Sequence, residues 1–206
     1  GSAYVFHTID DGATYDQVAK LTIHENSAYF GFSVAIAGNT IVVGAYYKNS
    51  GEGAVYVFHT SDGGATYGQV AKLPASDAAV GEFGSSVAIF GATVVVSAPW
   101  DDASHSYAGE AYVFHTTDGG ATYGQIAKLT VSDAAAYDYF GRSVAIDGTT
   151  IVAGAYGDDD GGSSSGSVYV FLPSDGCATY AQVAKLTASD AAAGDYFGVS
   201  VAIDGA

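Results

Sequence analysis

The feature that most constrains the fold of this chain is a repeat of about fifty-five residues. The dipeptide Phe-Gly occurs four times, and its phenylalanines are spaced 53, 57 and 57 residues apart, at Phe30, Phe83, Phe140 and Phe197. Ser-Val-Ala-Ile follows each dipeptide after one intervening residue, and Tyr-Val-Phe and Ala-Lys-Leu also recur in every unit. A regular repeat of this length predicts one supersecondary unit used several times, because neighbouring units must stack to bury a shared core.

Each unit predicts four short strands. In the third copy they cover residues 140–146, 150–156, 167–171 and 180–186. The second is a near-continuous apolar run, which is typical of a strand buried on both faces, whereas the fourth alternates with a period of two. A helical solenoid is disfavoured because no segment has a 3.6-residue period. The sequence therefore predicts an all-β β-propeller built of four-stranded antiparallel blades.

The whole chain, residues 1–206, is predicted to be a single β-propeller repeat domain. Its units are a partial blade at 1–28, repeats at 29–82, 83–139 and 140–196, and a partial blade at 197–206. The predicted second strand occurs three times, whereas the other three strands occur four times. We therefore expect the chain to be part of a larger propeller or array, or to complete its ring with a second copy.

The predicted fourth strand carries one lysine in every unit. These are Lys20, Lys72, Lys128 and Lys185, four of the six basic residues in the chain. A charged side chain on an outer strand discourages edge-to-edge pairing with other sheets. We therefore expect the four lysines to protect the outer edges of the blades.

The motifs of the repeat resemble a known family. The chain resembles the FG-GAP repeat in three successive motifs: Phe-Gly-x-Ser-Val-Ala-Ile, Thr-Ile-Val-Val-Gly-Ala and Gly-x-Val-Tyr-Val-Phe. Phe30-Gly31 and Gly44-Ala45 correspond to the two dipeptides of the repeat's name. The second copy departs from the pattern, with Ser97-Ala98 in place of Gly-Ala. The resemblance covers essentially the whole chain. It implies blades like those of the integrin α-subunit propeller, an extracellular or cell-surface location and no enzymatic activity.

A second motif lies between the third and fourth strands. Thr60-x-Asp62-x-Gly64-x-Thr66 resembles the Asp-box of sialidases and related propellers. The resemblance implies a structural hairpin in which the aspartate accepts hydrogen bonds from the backbone of its own turn. Sialidase activity is not expected, because those enzymes hold the substrate carboxylate with several arginines and this chain has only Arg142.

The charge balance excludes some partners. The chain has 22 acidic and 6 basic residues, a formal net charge of −16. Nucleic acids and anionic membrane surfaces both require cationic side chains, so neither is expected to bind. No run of 18 apolar residues is present, so no membrane insertion is expected. The single cysteine, Cys177, excludes a disulfide within one copy.

The loop between the second and third strands varies most in length and is the predicted recognition site, because loops on a rigid scaffold carry most binding residues. Exposed aromatic residues beside acids suit a glycan or a protein partner. The alternative is that these residues belong to solvated acidic loops that bind nothing and differ in length as propeller loops ordinarily do. The candidate ligand-binding residues are Tyr46, Tyr47, Trp100, Asp101, Asp102, His105, Tyr107 and Tyr156.

Calcium is the one metal that the sequence suggests. The usual calcium loop of the integrin repeat is missing, since the connection between the first two strands is only Asp147-Gly148-Thr149 in the third copy. The candidate site is instead the run Asp158, Asp159 and Asp160, because hard cations prefer clustered carboxylate oxygens.

Further acids precede Phe-Gly in pairs. Asp133 and Asp138 precede the third Phe-Gly, and Asp190 and Asp195 precede the fourth. We expect these pairs to shape their loops by accepting hydrogen bonds from backbone amides.

The expected function is adhesion or scaffolding at the cell surface, with loops presented to a protein or glycan partner. The alternative is a structural building block, in which further copies of the chain assemble into a surface filament or sheath. A propeller-based hydrolase is less favoured, because no nucleophile elbow appears in the sequence.

Overall fold

The computed structural model describes residues 1–24, 29–74, 81–102, 105–174 and 179–205, so Cys177 lies outside the described residues. Within these ranges the chain forms β-strands and a short 3₁₀ turn at Lys48–Ser50, and no helix there is long and apolar enough to cross a membrane. The strands are β1 (Ala3–His7), β2 (Asp16–Leu21), β3 (Ser33–Ala37), β4 (Thr40–Gly44), β5 (Val55–His59), β6 (Gly68–Leu73), β7 (Val87–Phe90), β8 (Thr93–Ala98), β9 (Glu110–His115), β10 (Gly124–Leu129), β11 (Ser143–Asp147), β12 (Thr150–Ala155), β13 (Ser167–Pro173) and β14 (Tyr180–Leu186).

Consecutive strands pair antiparallel into meandering sheets. β3–β6 form one four-stranded sheet, β7–β10 a second and β11–β14 a third, here called blades 1, 2 and 3. β1 and β2 form a two-stranded sheet, here called the half-blade. The predicted all-β class with four-stranded antiparallel blades is therefore confirmed.

The predicted strand bounds differ from the structure mainly at the first strand. In blade 3 this strand begins at Ser143 rather than Phe140. Phe140 and Gly141 belong to a turn in which Tyr139 and Gly141 have φ angles of 54° and 84°. This left-handed backbone cannot continue a β-ladder. Residues 198–205, predicted to contain a fourth first strand, form no strand in the structure.

The core of each blade extends into the next blade. All five residues of β4 are buried, as expected of a strand covered on both faces. Val42 of β4 packs in one cluster with Val87 of blade 2, and Val95 of β8 packs with Val144 of blade 3. The second strand thus packs within its own sheet and also contributes side chains to the interface with the following blade.

The Phe-Gly phenylalanine is buried at the centre of its blade. The ring of Phe83 is 0% exposed and meets the rings of Tyr112 and Phe114 edge-on, with centroids 5.4 and 6.0 Å apart. Phe30 and Phe140 meet their own tyrosines in the same way. These edge-to-face contacts explain why the Phe-Gly and Tyr-Val-Phe motifs recur together.

A glycine before each third strand allows adjacent blades to approach closely. Gly109 has a φ of +84°, and a Cβ atom there would lie 2.1 Å from the carbonyl oxygen of Phe140 in the next blade. Only glycine fits this combination of left-handed backbone and close backbone contact. Gly53 approaches Phe83 in the same way, and Gly166 approaches Phe197.

Each hairpin between the third and fourth strands is closed by an aspartate where the structure describes it. Asp62 Oδ1 accepts hydrogen bonds from the backbone N–H of Thr66 at 2.9 Å and from the hydroxyl of Thr60 at 2.7 Å. The hydrogen bonds from the Thr66 hydroxyl and backbone hold the pKa of Asp62 well below its ordinary value. The same contacts recur around Asp10 and Asp118, so these hairpins have the hydrogen bonding that the motif predicts.

Replacing Phe83 with alanine is expected to lower the free energy of unfolding by about 3–5 kcal/mol, because a fully buried ring is lost and a cavity remains. The matched control is Phe90→Ala on the edge of the same blade, where the native side chain is 45% exposed. The control should cost less than about 1 kcal/mol. Urea unfolding followed by circular dichroism measures both values, and equal losses would contradict this account of the core.

Candidate functional site

An open cleft of about 740 Å³ lies where the loops of the three blades meet the segments that flank Phe-Gly. Its aromatic lining residues are Phe32, Tyr46, Trp100, Tyr156 and Tyr196, and its charged lining residues are Glu82, Arg142 and Asp195. The cleft, here called the aromatic cleft, therefore combines ring faces with both signs of charge. This composition is typical of a site for a polar ligand that also has an apolar face.

The residue before each Phe-Gly has left-handed backbone. The φ angle is 49° at Tyr29, 57° at Glu82, and 54° at both Tyr139 and Tyr196. This conformation costs a non-glycine residue roughly 1–2 kcal/mol, so surrounding contacts must hold it in place. In two of the four units the residue concerned, Glu82 or Tyr196, lines the aromatic cleft.

Aromatic rings connect blade 2 to blade 3 along the cleft. Trp100 meets Tyr107 and Tyr139, with both pairs of ring centroids 5.2 Å apart. Tyr139 stacks on Tyr156 at 5.0 Å with an interplanar angle of 12°, and Tyr156 meets Tyr196 at 5.9 Å. Such contacts fix the orientation of side chains that would otherwise sample several rotamers.

Blade 1 contributes its own aromatic group. Tyr46 lies 4.4 Å from Phe32 and 5.4 Å from Tyr29, measured between ring centroids. Tyr47 meets Tyr29 edge-on at 5.5 Å and Tyr46 at 6.1 Å, and it is 45% exposed. Phe32 and Tyr29 are also more than half exposed, so this group presents aromatic surface to solvent.

The charged residues of the cleft influence one another. Burial raises the pKa of the Glu82 carboxyl, and the positive charge of Arg142 partly offsets that effect. Asp195 Oδ2 accepts a hydrogen bond from the backbone N–H of Ala192 at 2.7 Å, which anchors the loop before the last Phe-Gly.

The structure brings together only some of the predicted binding residues. Tyr46, Trp100 and Tyr156 line the aromatic cleft, and Tyr47 and Tyr107 belong to the adjoining ring contacts. The other three lie elsewhere: Asp101 is only 2% exposed, Asp102 accepts a hydrogen bond from the backbone of Tyr107, and His105 is exposed outside the cleft.

Sequence reasoning missed the cleft residues that flank Phe-Gly. Phe32 and Arg142 directly follow the dipeptide, whereas Glu82 and Tyr196 directly precede it. The available signal was variation: these positions change chemistry from copy to copy while the dipeptide between them does not.

The predicted metal residues form part of a different cluster. Asp158 and Asp160 converge with Asp133 from the preceding connection, whereas Asp159 Oδ1 accepts a hydrogen bond from the backbone N–H of Ser164 at 2.6 Å. The ammonium nitrogen of Lys185 lies 2.7 Å from Asp133, 2.8 Å from Asp158 and 2.6 Å from Asp160. A built-in cation therefore occupies the position where a metal ion would bind these carboxylates.

The Asp158 carboxylate is the buried part of this cluster. It is 3% exposed and also accepts hydrogen bonds from the hydroxyls of Ser167 at 2.9 Å and Tyr169 at 3.1 Å. Burial alone would raise the pKa of Asp158, but the hydrogen bond from Lys185 and its other donors hold it below the ordinary value. The pKa of Lys185 is raised by its three carboxylate partners, despite the opposing effect of burial.

The lysines of the fourth strands also have an inward role that the sequence did not predict, and their protection of the outer blade edges stays a prediction. The strand register places each lysine directly opposite the tyrosine of the third strand, as with Lys128 and Tyr112. The ammonium therefore lies over the tyrosine ring, at 5.3–5.6 Å from its centroid in all four units. Lys128 also forms an ion pair with the buried Glu110. All four lysines thus join two strands, and Lys128 and Lys185 also pair with buried acids.

The second acid of each pair before Phe-Gly shapes its loop as expected, whereas Asp133 forms an ion pair with Lys185. Asp138 is 4% exposed and its Oδ2 accepts a hydrogen bond from the backbone N–H of Ala135 at 2.7 Å. Asp195 makes the equivalent bond to Ala192. Burial raises the pKa of Asp138 to about 6, with smaller contributions in the same direction from Asp158 and Asp133 and an opposing one from Lys185.

Comparisons with known proteins agree with this architecture. The family model described as FG-GAP repeat matches residues 15–58, 67–114, 123–171 and 180–206. No curated protein sequence matches the chain at a significant level.

Solved structures share the fold at low sequence identity. Sqt1 from Saccharomyces cerevisiae is 12% identical with a TM-score of 0.53, and the match covers 83% of this chain and 39% of that protein. A putative 6-phosphogluconolactonase from Bacteroides uniformis is 14% identical with a TM-score of 0.56, covering 90% of this chain and 50% of that one. This chain thus spans half or less of each, and the likeness concerns the fold alone.

The Asp138→Asn variant is expected to be more stable than the native protein at pH 7, by about 1–3 kcal/mol. The folded protein holds the Asp138 proton with a pKa of about 6, whereas the unfolded chain releases it near 4. The native protein therefore loses stability as the pH rises from about 4 to 6, and asparagine removes that loss. Thermal unfolding between pH 4 and 8 measures the difference. Asp195→Asn on the exposed equivalent loop is the control, and a destabilised Asp138→Asn at pH 7 would contradict the prediction.

Replacing Lys185 with methionine is expected to cost about 3 kcal/mol, because the buried Asp158 loses its cation. Calcium should then restore part of the melting temperature, since the three freed carboxylates can share an ion. The native protein should melt at the same temperature in calcium and in chelator. Lys20→Met on the exposed half-blade is the control. Calcium-dependent melting of the native protein would show that Lys185 does not exclude the ion.

Proposed function

This chain belongs to the FG-GAP repeat family, and we propose that it is a non-catalytic β-propeller module that binds a glycan or protein partner in the aromatic cleft. The observation that carries the proposal is the meeting of Tyr46, Trp100 and Tyr156, from three different blades, at one open cleft. Rigid blades hold these side chains in place, so binding requires little ordering of the protein.

The chemistry of the cleft favours a ligand with both apolar and hydroxyl-bearing faces. Tyrosine and tryptophan offer a flat apolar body with a polar group at one end, which suits a sugar ring or an aromatic side chain of a partner. Glu82, Asp195 and Arg142 supply acceptors and donors around the rings. The net charge of −16 disfavours polyanionic ligands, so we expect a neutral or basic partner.

The proposal places the module outside the cell or at the cell surface. Support comes from the family and from the acidic composition, which suits an exposed, soluble surface. The fold likeness to a lactonase does not argue for catalysis, because propellers serve many unrelated functions. Calcium has a minor part in the proposal, since the ammonium of Lys185 already lies between the three carboxylates of the acidic cluster.

Assembly of further copies into a filament or sheath is the second candidate, and the exposed edge of the half-blade is the surface it would use. β1 pairs with β2, and no other strand pairing of β1 occurs among the described residues. Tyr4 and Phe6 of β1 are 51% and 56% exposed, and Val34 of the neighbouring β3 is 57% exposed. The equivalent Val144 in blade 3 is 6% exposed beneath the preceding blade. An added strand, from a longer form of the chain or from another copy, would cover this surface; in the second case, light scattering at increasing concentration would detect oligomers.

The Trp100→Ala variant tests the binding proposal. A ligand identified on a glycan array with the native protein should bind at least about tenfold more weakly to this variant, because the loss of one central aromatic contact costs more than about 1.4 kcal/mol. Tyr15→Ala, which removes a 64% exposed tyrosine from the hairpin of the half-blade, is the control and should leave affinity unchanged. Undiminished binding by a folded Trp100→Ala variant would place the ligand site elsewhere.

A further inference from the structure

The three residues before the third Phe-Gly, Tyr137, Asp138 and Tyr139, lie between the loops of blades 2 and 3 and are here called the 137–139 segment. The backbone N–H groups of both tyrosines donate to carbonyl oxygens of the blade 2 loop, at 2.9 and 3.0 Å. From the other side, the N–H of Gly157 in the blade 3 loop donates to the carbonyl oxygen of Asp138 at 3.1 Å. Backbone hydrogen bonds therefore dock the segment against both loops.

Both tyrosines of the segment have left-handed backbone. The φ angle is 71° at Tyr137 and 54° at Tyr139. This conformation is unfavourable for residues with a Cβ atom and persists only where surrounding contacts impose it. The docked segment is therefore strained, and any weakening of its anchoring contacts favours its release.

The ring of Tyr139 supports two rings of the aromatic cleft. It meets the ring of Trp100 from blade 2, with centroids 5.2 Å apart, and stacks on Tyr156 from blade 3 at 5.0 Å. Trp100 and Tyr156 both line the cleft. The arrangement of the cleft rings therefore depends on the docking of the segment.

The carboxyl group of Asp138 anchors the segment from below. It is 4% exposed, and its Oδ2 accepts a hydrogen bond from the backbone N–H of Ala135 at 2.7 Å. The charged groups that act on it are the carboxylates of Asp133 and Asp158 and the ammonium of Lys185. Lys185 forms its ion pairs with other carboxylates, and no ion pair of Asp138 occurs among the described residues. An ionised Asp138 is thus a buried charge beside two further negative charges.

The proton of Asp138 is held more tightly when the segment is docked. Burial raises the pKa of Asp138 to about 6, whereas an exposed aspartate has a pKa near 4. The docked conformation therefore loses stability as the pH rises from about 4 to 6, and this group causes no further loss above that range. Two pKa units correspond to a change of up to about 100-fold in the docking equilibrium.

Other titratable groups lie on the two loops that hold the segment. They are Asp102 and His105 in the blade 2 loop and Asp159 and Asp160 in the blade 3 loop. Asp102 and Asp159 each accept a backbone hydrogen bond within their own loop, and Asp160 pairs with Lys185. His105 is exposed and requires a control variant.

We propose that the protonation state of Asp138 regulates the aromatic cleft, because a neutral carboxyl keeps the 137–139 segment docked and Tyr139 in contact with Trp100 and Tyr156. An ionised carboxylate weakens the docking, so the cleft rings lose a support and the cleft is less preorganised. A ligand of the cleft should therefore bind more tightly at acidic pH. This effect on affinity rests on the function proposed for the cleft, whereas the effect on the rings does not.

Hydrogen exchange of the Tyr139 backbone N–H tests the docking. This N–H donates to the carbonyl oxygen of Tyr107, so its exchange requires the segment to open. At pH 7, after correction for intrinsic exchange, it should exchange up to about 100-fold faster in the native protein than in Asp138→Asn, and at pH 4 the rates should be equal. Asp195→Asn, on the exposed equivalent loop, should leave the Tyr139 rate unchanged. Equal rates in the native protein and Asp138→Asn at pH 7 would overturn the proposal.

Quenching of Trp100 fluorescence by acrylamide tests the link to the cleft. Trp100 is the only tryptophan of the chain and is 37% exposed, so loss of the contact with Tyr139 should increase its access to the quencher. The quenching constant of the native protein should rise between pH 4 and 6 and then level off, whereas Asp138→Asn should keep the lower value throughout. If Tyr139 exchange responds to Asp138→Asn but the quenching does not, the regulation of the cleft is refuted.

Two further variants separate the residues involved. Tyr139→Asn removes the ring but keeps a residue that tolerates left-handed backbone, so Trp100 should be strongly quenched at every pH. His105→Gln should retain the pH response of the native protein. Loss of that response in His105→Gln would assign the titration to the histidine and contradict the role of Asp138.

Both measurements use the protein without a ligand, so they do not depend on the function proposed for the cleft. A failure of exchange and quenching to respond to Asp138→Asn overturns the present inference and leaves that function untouched. A cleft that binds no partner, with the Trp100 response intact, overturns the proposed function and upholds the control of the rings by Asp138.

Discussion

Burial of the second strand between its own sheet and the next blade is the constraint on which the rest of the structure depends. β4, β8 and β12 each lie between two strands of their sheet, and side chains of β4 and β8 also pack with the first strand of the following blade. This arrangement removes apolar surface from water on both faces of one strand. β1 of the half-blade has no such second strand beside it among the described residues, and its Tyr4 and Phe6 are exposed.

The few cations of the chain are used at positions where buried acids require them. The antiparallel register sets Lys128 and Lys185 opposite tyrosines, and from there each ammonium reaches the buried carboxylate beneath the neighbouring loop. Removing one partner of such a pair leaves an uncompensated buried charge, so substituting either residue alone destabilises the fold. In blade 1, Ala54 stands at the place of Glu110, and the Tyr56 hydroxyl is buried without a hydrogen-bond partner.

The candidate binding surface arises because the repeat leaves certain positions free to vary. The phenylalanine of Phe-Gly is buried in blades 1 to 3, but the residue that follows the dipeptide differs between them: Phe32, Ser85 and Arg142. Glu82 precedes the dipeptide and Arg142 follows it, and both lie in one cleft with Trp100. Similar blades can therefore carry different side chains, which is how one fold serves many functions.

The sequence by itself determined the features that depend on near neighbours. The repeat, the strand content and the hairpins closed by Asp62 and its equivalents follow from periodicity and from contacts within about five residues. Tertiary structure alone decided which distant groups meet. Asp133 and Lys185 are 52 residues apart and join only because adjacent blades pack side by side. Asp101 resembles an exposed loop acid but is buried, because burial depends on the packing of a whole blade against its neighbour.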